Sequence, residues 1–298
     1  MAFDIDRFVD LSKAVDTSDL DWDYIKRVGV TADEARILRY MADVESHTII
    51  YLRDVLSGHT ASDPEITQFM ACWVYEETHH GRALDKFLTT CGYPPEDNRY
   101  SKVLAKMGFQ EYIEAFLTVN IPKLTPHFSA THMSWGAVDE MMAASAYTQL
   151  AYYTSNKELS KLLLRMSKDE RRHQSFYYQQ AEKRLQHPLA QALCATALRV
   201  FWNPVGMGVG EDTTLGFIAA LLYDDERGRE DLARMDKLMA KLPGLGWFNR
   251  VSLEVGKAIE MFRAREPERA QQIYEKKQLV ARERAMMPED PDFALTPA

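Results

Sequence analysis

Cysteine is scarce: Cys72, Cys91 and Cys194 are the three in 298 residues, and no two of them form a Cys-x-x-Cys pair. An odd, scattered set argues against a disulfide framework, a zinc ribbon or a rubredoxin-type iron site, and all three are expected to be reduced packing residues. Glycine (14) and proline (12) are also sparse, and no Ser/Gly-rich or Pro-rich linker and no repeat period divides the middle of the chain. An apolar run of about 18 residues that could span a bilayer is missing too. The start, Met1-Ala2-Phe3-Asp4-Ile5-Asp6, lacks the basic and then apolar pattern of a secretory signal, so a cytoplasmic protein is expected. Cations do not dominate: 36 Lys and Arg face 44 Asp and Glu, a formal charge of −8. That balance argues against free nucleic acid as a partner, because phosphate binding needs clustered cations.

Apolar residues are plentiful, at 46%, enough for a large core. We read one all-α domain over 1–284: an acidic, aromatic arm at 1–28, a core at 29–187, and further helices at roughly 189–200, 213–225, 227–241, 246–264 and 267–284, with 285–298 expected to be a disordered tail. Thr31-Ala32-Asp33-Glu34, Ser62-Asp63-Pro64-Glu65 and Ser155-Asn156-Lys157-Glu158 each have the capping-box form. They predict helices from there to about Leu56, Cys91 and His187. A further core helix is predicted from about Ser134 to Tyr153. Residues 93–134 form a long connection, with a helix predicted around 100–119, and suit a crossover joining two antiparallel hairpins. The glycine-rich stretch 203–210 lacks the Lys-Ser/Thr of a phosphate cradle and reads as a flexible loop.

Within the core helices, apolar residues at alternating spacings of three and four define buried seams. The first seam contains Glu45. The second runs Ile66, Met70, Trp73, Glu77, His80, Leu84 and Phe87, so of two overlapping Glu-x-x-His pairs it selects Glu77 with His80 and leaves Glu76 with His79 one residue off. The third contains Glu140, and the fourth contains Glu170 and His173. Glu45 and Glu77 lie sixteen residues on either side of position 61, and Glu140 and Glu170 lie fifteen on either side of position 155. With a rise of about 1.5 Å per residue, equal distances from a turn bring the members of each pair to matching heights in antiparallel helices.

Four bare carboxylates cannot share a dry layer, since desolvation costs several kcal/mol per charge and the anions repel. A cation is required. Glu45, Glu77, Glu140 and Glu170 with His80 and His173 carry a charge of −4, which two divalent metals balance. Carboxylate and imidazole ligation suits iron that cycles with O2, and ligand type also admits manganese. Around this set, Asp169 can accept the second N–H of a ligating histidine and orient it, or pair at the surface. His79 can do the same or face its neighbours, and Trp73 is a large core residue or a point of electron entry. His47, His127 and His132 read as ordinary polar histidines. Ala137, Ala143 and Ala144 leave volume beside Glu140 for a channel or for close helix packing. Lys157, Lys161, Arg165, Lys168 and Arg172 make a strip that reads as a dock for an acidic carrier or as a solvated face.

These motifs resemble the soluble acyl-ACP desaturase family. Its Trp-x-x-Glu-Glu-x-x-His-Gly is matched by Trp73, Glu76, Glu77, His80 and Gly81, and its Asp-Glu-x-x-His by Asp169, Glu170 and His173. The resemblance covers roughly 30–187. It implies a ferritin-like four-helix bundle with a long crossover and a carboxylate-bridged pair of iron ions (Fe2+/Fe3+). Such a centre takes two electrons from a ferredoxin or other reductase, activates O2, and oxidises an unactivated C–H bond of an acyl chain. Glu77 and Glu170 would bridge, Glu45 and Glu140 would each serve one iron, and His80 and His173 would be the terminal nitrogen ligands. Members are usually homodimers. The chain departs from the pattern at Thr78-His79, where the family commonly has Asn-Arg, and at Ala143, where the family has a threonine near the oxygen site. The second departure leaves hydroxylation open beside desaturation. Non-catalytic iron or oxidant handling is a third reading.

Overall fold

The structure, a computed structural model, describes residues 3–56, 59–95, 125–204, 212–286, 291–293 and 295. Among them all regular structure is helical. The arm forms α1 (Ile5–Leu11) and α2 (Trp22–Val28), each started by an aspartate, Asp4 or Asp21, whose side chain accepts a first-turn N–H. Four long helices follow: α3 (Ala32–Leu56), α4 (Pro64–Thr90), α5 (Ser129–Tyr153) and α6 (Lys157–Arg184). Then come α7 (Pro188–Val200), α8 (Asp212–Tyr223), α9 (Glu226–Met239), α10 (Arg250–Arg265) and α11 (Pro267–Ala285).

Of the three expected capping boxes, one forms. Thr31 and Glu34 exchange hydrogen bonds as the box requires, with Glu34 N–H donating to Thr31 and Thr31 N–H donating to Glu34. At α4 the cap is Asp63 rather than Ser62, accepting from the Glu65 and Ile66 N–H groups, and at α6 it is Asn156 rather than Ser155, accepting from Glu158 and Leu159. Asp and Asn cap at least as well as Ser, so each displaces the serine beside it. Glu158, freed from the box, accepts from the Asp21 N–H of the arm. The third core helix begins at Ser129, five residues before the expected start, because Pro126–Phe128 already forms a 3₁₀ turn that leads into it.

Helix α3 packs along α4 and α5 along α6, as the two hairpins require. Helix α5 is buried on every side, from Ala130 to Ala151, and so is the central element. Gly136 lets it approach α6: a Cβ there would meet the Tyr177 ring at 2.3 Å. Helices α7, α8, α9 and α11 also pack on α5, with Asp231 of α9 accepting from Ser145 and Gln149, and α10 packs on α8 and α9. Gly216 brings α8 onto α10, where a Cβ would sit 2.9 Å from the Ala258 carbonyl oxygen.

The basic strip on α6 is answered from within the chain. Lys161 and Arg165 both pair with Asp19 of the arm, Lys168 pairs with Asp292, Arg172 pairs with Asp169 and Glu76, and Lys157 sits over the Tyr24 ring. Every cation of the strip thus has a partner within the chain, most of them in solvent-exposed pairs. Part of the expected tail is ordered: Pro291–Phe293 forms a 3₁₀ turn whose Phe293 packs on Tyr152 and accepts from Arg227. The helix expected around 100–119, most of the glycine-rich stretch and the rest of the tail lie outside the described residues. All three cysteines are free, Cys194 buried and the others half-buried. Among the described residues no helix is long and apolar enough to cross a membrane.

Candidate metal centre

Four helices each bring one carboxylate to a common layer, Glu45 from α3, Glu77 from α4, Glu140 from α5 and Glu170 from α6, and all four are buried. His80 and His173, one turn after Glu77 and Glu170, are fully buried beside them. The six form two overlapping groups: Glu45, Glu77, His80 and Glu170, and Glu77, Glu140, Glu170 and His173. Within each group one donor atom per residue lies within 4.8 Å of all the others. Glu77 and Glu170 are common to both. Each imidazole turns Nδ1 inward. His80 Nδ1 is 3.0 Å from Glu170, and His173 Nδ1 is 2.9 Å from Glu170 and 3.0 Å from Glu77.

The donor set fits a cation. Glu45 Oε2 is a buried atom without a hydrogen-bond partner, while Glu77 Oε1, Glu170 Oε1 and His80 Nδ1 have imidazole–carboxylate approaches of 3.0 Å that lack hydrogen-bond geometry, and all four belong to the first group. Orphaned polar atoms are expensive unless something they can coordinate sits between them. The crowding of like charges shows in the shifts of these groups. Burial pushes the carboxyls of Glu45, Glu77 and Glu140 upward, with neighbouring carboxylates adding to it, and Glu140 reaches about 8. Burial pushes Glu170 up as well, but His80 and His173 overcome it and hold Glu170 below its ordinary range. Both imidazoles are in turn raised by the carboxylates against a burial that opposes their charge.

The outward nitrogens are also met. His80 Nε2 lies 3.2 Å from Asp169 of α6, and His173 Nε2 lies 2.6 Å from Glu76 of α4, so the carboxylate preceding each shared glutamate reaches the histidine on the opposite helix. Arg172 joins the two, donating to Asp169 at 2.6 Å and to Glu76 at 3.1 Å. The arm closes this side: the Lys13 backbone N–H donates to Glu76, and the Phe8 ring packs edge-on to His173 at 6.1 Å. Seam spacing had set Glu76 aside, yet it is fully buried, since one residue of helix rotation turns it from the centre toward α6. The signal was the repeat itself, Glu76-Glu77-x-x-His80 echoing Asp169-Glu170-x-x-His173. His79 lies elsewhere, half-buried with its ring 4.6 Å from Tyr75. Trp73 donates from Nε1 to Glu140 at 2.8 Å, and so packs in the core while fixing that carboxylate.

Opposite the arm, Tyr147 donates its hydroxyl to Glu45 Oε1. Tyr147 lies two turns after Glu140 on the seam of α5, and nothing in that spacing distinguishes a phenol that packs from one that points at a carboxylate. Both Tyr147 and Glu45 line an apolar cavity of about 380 Å³ bounded by α3, α5, α8 and α10. Of the three alanines expected to leave room, Ala143 lines this cavity, whereas Ala137 and Ala144 are buried in helix packing.

Comparison with known proteins finds no match among curated proteins or solved structures. A family model described as fatty acid desaturase matches residues 46–200, just over half of the chain. That stretch holds Glu77, His80, Glu140, Glu170 and His173 and begins directly after Glu45. All of the buried carboxylate and imidazole cluster except Glu45 therefore lies on the segment by which this chain belongs to the fatty acid desaturase family.

Proposed function

We propose that the chain is an acyl-ACP desaturase, a carrier-bound acyl oxidase built as one domain over 1–284 on a ferritin-like four-helix bundle of α3, α4, α5 and α6. Membership of a fatty acid desaturase family implies an oxidoreductase that acts on acyl chains with O2, and such enzymes typically use iron. The observation that carries the finer reading is the sharing of Glu77 and Glu170 between two groups of four donors, as a pair of bridged metals needs. Glu45, Glu77 and His80 would hold one iron with Glu170, and Glu140, Glu170 and His173 would hold the other with Glu77. Bound there, the iron pair supplies O2 activation and the two-electron oxidation of an unactivated C–H bond.

This chain's residues do the rest. Asp169 and Glu76 accept from the outer nitrogens of His80 and His173, which fixes Nδ1 of each ring as the inward donor. Trp73 and Tyr147 orient Glu140 and Glu45 by hydrogen bonds. The apolar wall beside Glu45 excludes water from the reacting carbon. Electrons would come from a ferredoxin or other reductase, and the active form would be a homodimer. Hydroxylation is the second reading, favoured by one feature, Ala143 on the cavity wall where the acyl-ACP desaturases carry a threonine. Iron storage or oxidant scavenging expects no apolar cavity against the centre, and one is present. The deciding experiment supplies iron-loaded protein with electrons, O2 and a panel of acyl thioesters and identifies products by mass spectrometry. A product two mass units lighter than its substrate supports desaturation. Hydroxylated product alone replaces it with the second reading, and O2 consumption without organic product sinks both.

A further inference from the structure

Outside the cluster, α11 buries a lysine. Lys277 is 2% exposed, yet its Nζ makes no hydrogen bond, and Asp225, its ion-pair partner just before α9, stands 3.4 Å away without hydrogen-bond geometry. Both Asp225 oxygens are already taken, one by the Gly228 N–H at 2.8 Å and the other by the Tyr153 hydroxyl. Asp224 beside it is held by Arg263 at 2.9 Å and by Arg229 at 3.8 Å. A buried ammonium needs acceptors for three N–H groups, and here it has one distant oxygen and the face of the Tyr153 ring, 4.6 Å from Nζ. Burial therefore favours the neutral amine and pulls the group down to about 8, with Arg229 adding to it and the two aspartates opposing it. Lys277 and Tyr153 also line a cavity of about 260 Å³, bounded by the start of α3 and by α5, α8 and α11. Its wall is largely apolar, with Leu150, Leu221, Leu222, Ile273 and Val280, while Arg269 and Glu34 at its edge are committed to Asp33 and Thr31.

We propose that Lys277 is a covalent binding site for a small apolar aldehyde, with the carbonyl carbon joined to Nζ and the carbon body in this cavity. The amine adds through its lone pair to the carbonyl carbon, forming a C–N bond while the carbonyl oxygen takes up a proton. The carbinolamine then loses water and leaves an imine. The sum is aldehyde plus amine giving imine plus water, with no oxidant or reductant. Asp225, at ion-pair distance from Nζ and hydrogen-bonded to Tyr153, is placed to take the proton from nitrogen and return it to the departing oxygen. A simple anion fits less well, because it would bring a further negative charge to a buried space that already holds Asp224 and Asp225. A polar aldehyde would leave its other groups against leucine and valine without partners. Lys277 and Asp225 lie beyond residues 46–200, so neither the family match nor the proposed oxidation carries this site.

The test is reductive trapping. Full-length protein is incubated with hexanal and sodium cyanoborohydride, which reduces imines and spares aldehydes, and alkylation at Lys277 and at its exposed neighbour Lys276 is quantified by mass spectrometry of chymotryptic peptides. At pH 7 wild type is expected to label Lys277 at least about tenfold faster than Lys276, since an amine titrating near 8 is neutral far more often than one at the ordinary lysine value of about 10.4. That advantage fades as the pH rises, so the ratio should fall by about tenfold or more between pH 7 and pH 10. Leu221→Phe and Val280→Phe fill the cavity from α8 and α11 and should each lower Lys277 labelling by about tenfold while leaving Lys276 unchanged. Glyoxylate, an aldehyde with a carboxylate in place of an apolar body, should show no preference for Lys277. The thermal midpoint shows whether each variant is folded, and the pH and glyoxylate arms need no variant. Lys277 labelled no faster than Lys276 at pH 7, a ratio that does not change with pH, unchanged labelling in both folded variants, or an equal preference with glyoxylate overturns the proposal.

Discussion

The two flanks of the cluster are built from opposite materials. On the histidine flank both outward imidazole nitrogens are answered: Asp169 and Glu76 meet them, Arg172 ties the two carboxylates together, and Lys13 and Phe8 of the arm close over them. On the Glu45 flank one phenol, Tyr147, is the polar contact, and beyond it lies an apolar cavity walled partly by helices from the last third of the chain. A connected hydrogen-bond network holds side chains at fixed angles, because each member's orientation is set by its neighbours. Space beside a donor lets a substrate approach it. On the proposed function, one flank would fix the centre and the other would give access to it.

Three predictions would break or sharpen this contrast. The largest effect belongs to the residues common to both flanks. Glu77→Ala or Glu170→Ala should abolish tight binding of both metal equivalents, whereas Glu45→Ala and Glu140→Ala, each in one group only, should leave about one. Metal-to-protein ratios by elemental analysis decide this, and unchanged stoichiometry in both the Glu77 and Glu170 variants would remove the ligand assignment. Next come the orienting groups, which separate the flanks. Glu76→Gln should lower Co2+ affinity by about 10- to 100-fold, and Tyr147→Phe, which loses one bond to a carboxylate beside open space, by no more than about tenfold. Competition with a chromophoric chelator measures both, and a larger loss for Tyr147→Phe would reverse the roles given to the two sides. The smallest effect is expected at the arm's outer fastening. Asp19→Ala unpairs Lys161 and Arg165 at an exposed site, so Co2+ affinity and the thermal midpoint should stay essentially unchanged. A clear drop in Co2+ affinity would show that this fastening helps to close the histidine flank.

Legibility followed the range of the interaction. Helix starts that rest on a local cap were readable to within a residue or so, and the choice between Ser and Asp or Asn at the caps of α4 and α6 failed only because neighbouring residues compete for the same N–H groups. Seam spacing brought Glu45, Glu77, His80, Glu140, Glu170 and His173 to attention because burial along a helix repeats in sequence, and the structure gathers those six. Glu76 was set aside because it faces a helix ninety-odd residues away, and the basic strip looked free because its partners, Asp19 and Asp292, are distant in the chain.

By itself the sequence determined the all-helical class, the four core helices and a set of buried carboxylates that could hold a cation, since periodicity and desolvation act on residues a turn or two apart. Only the tertiary structure decided that Tyr147 points at Glu45, that the arm seals the histidines, and that α8 and α10 wall a cavity at the centre. Those depend on which faces of separate helices meet, and no spacing within one helix encodes the surface of another.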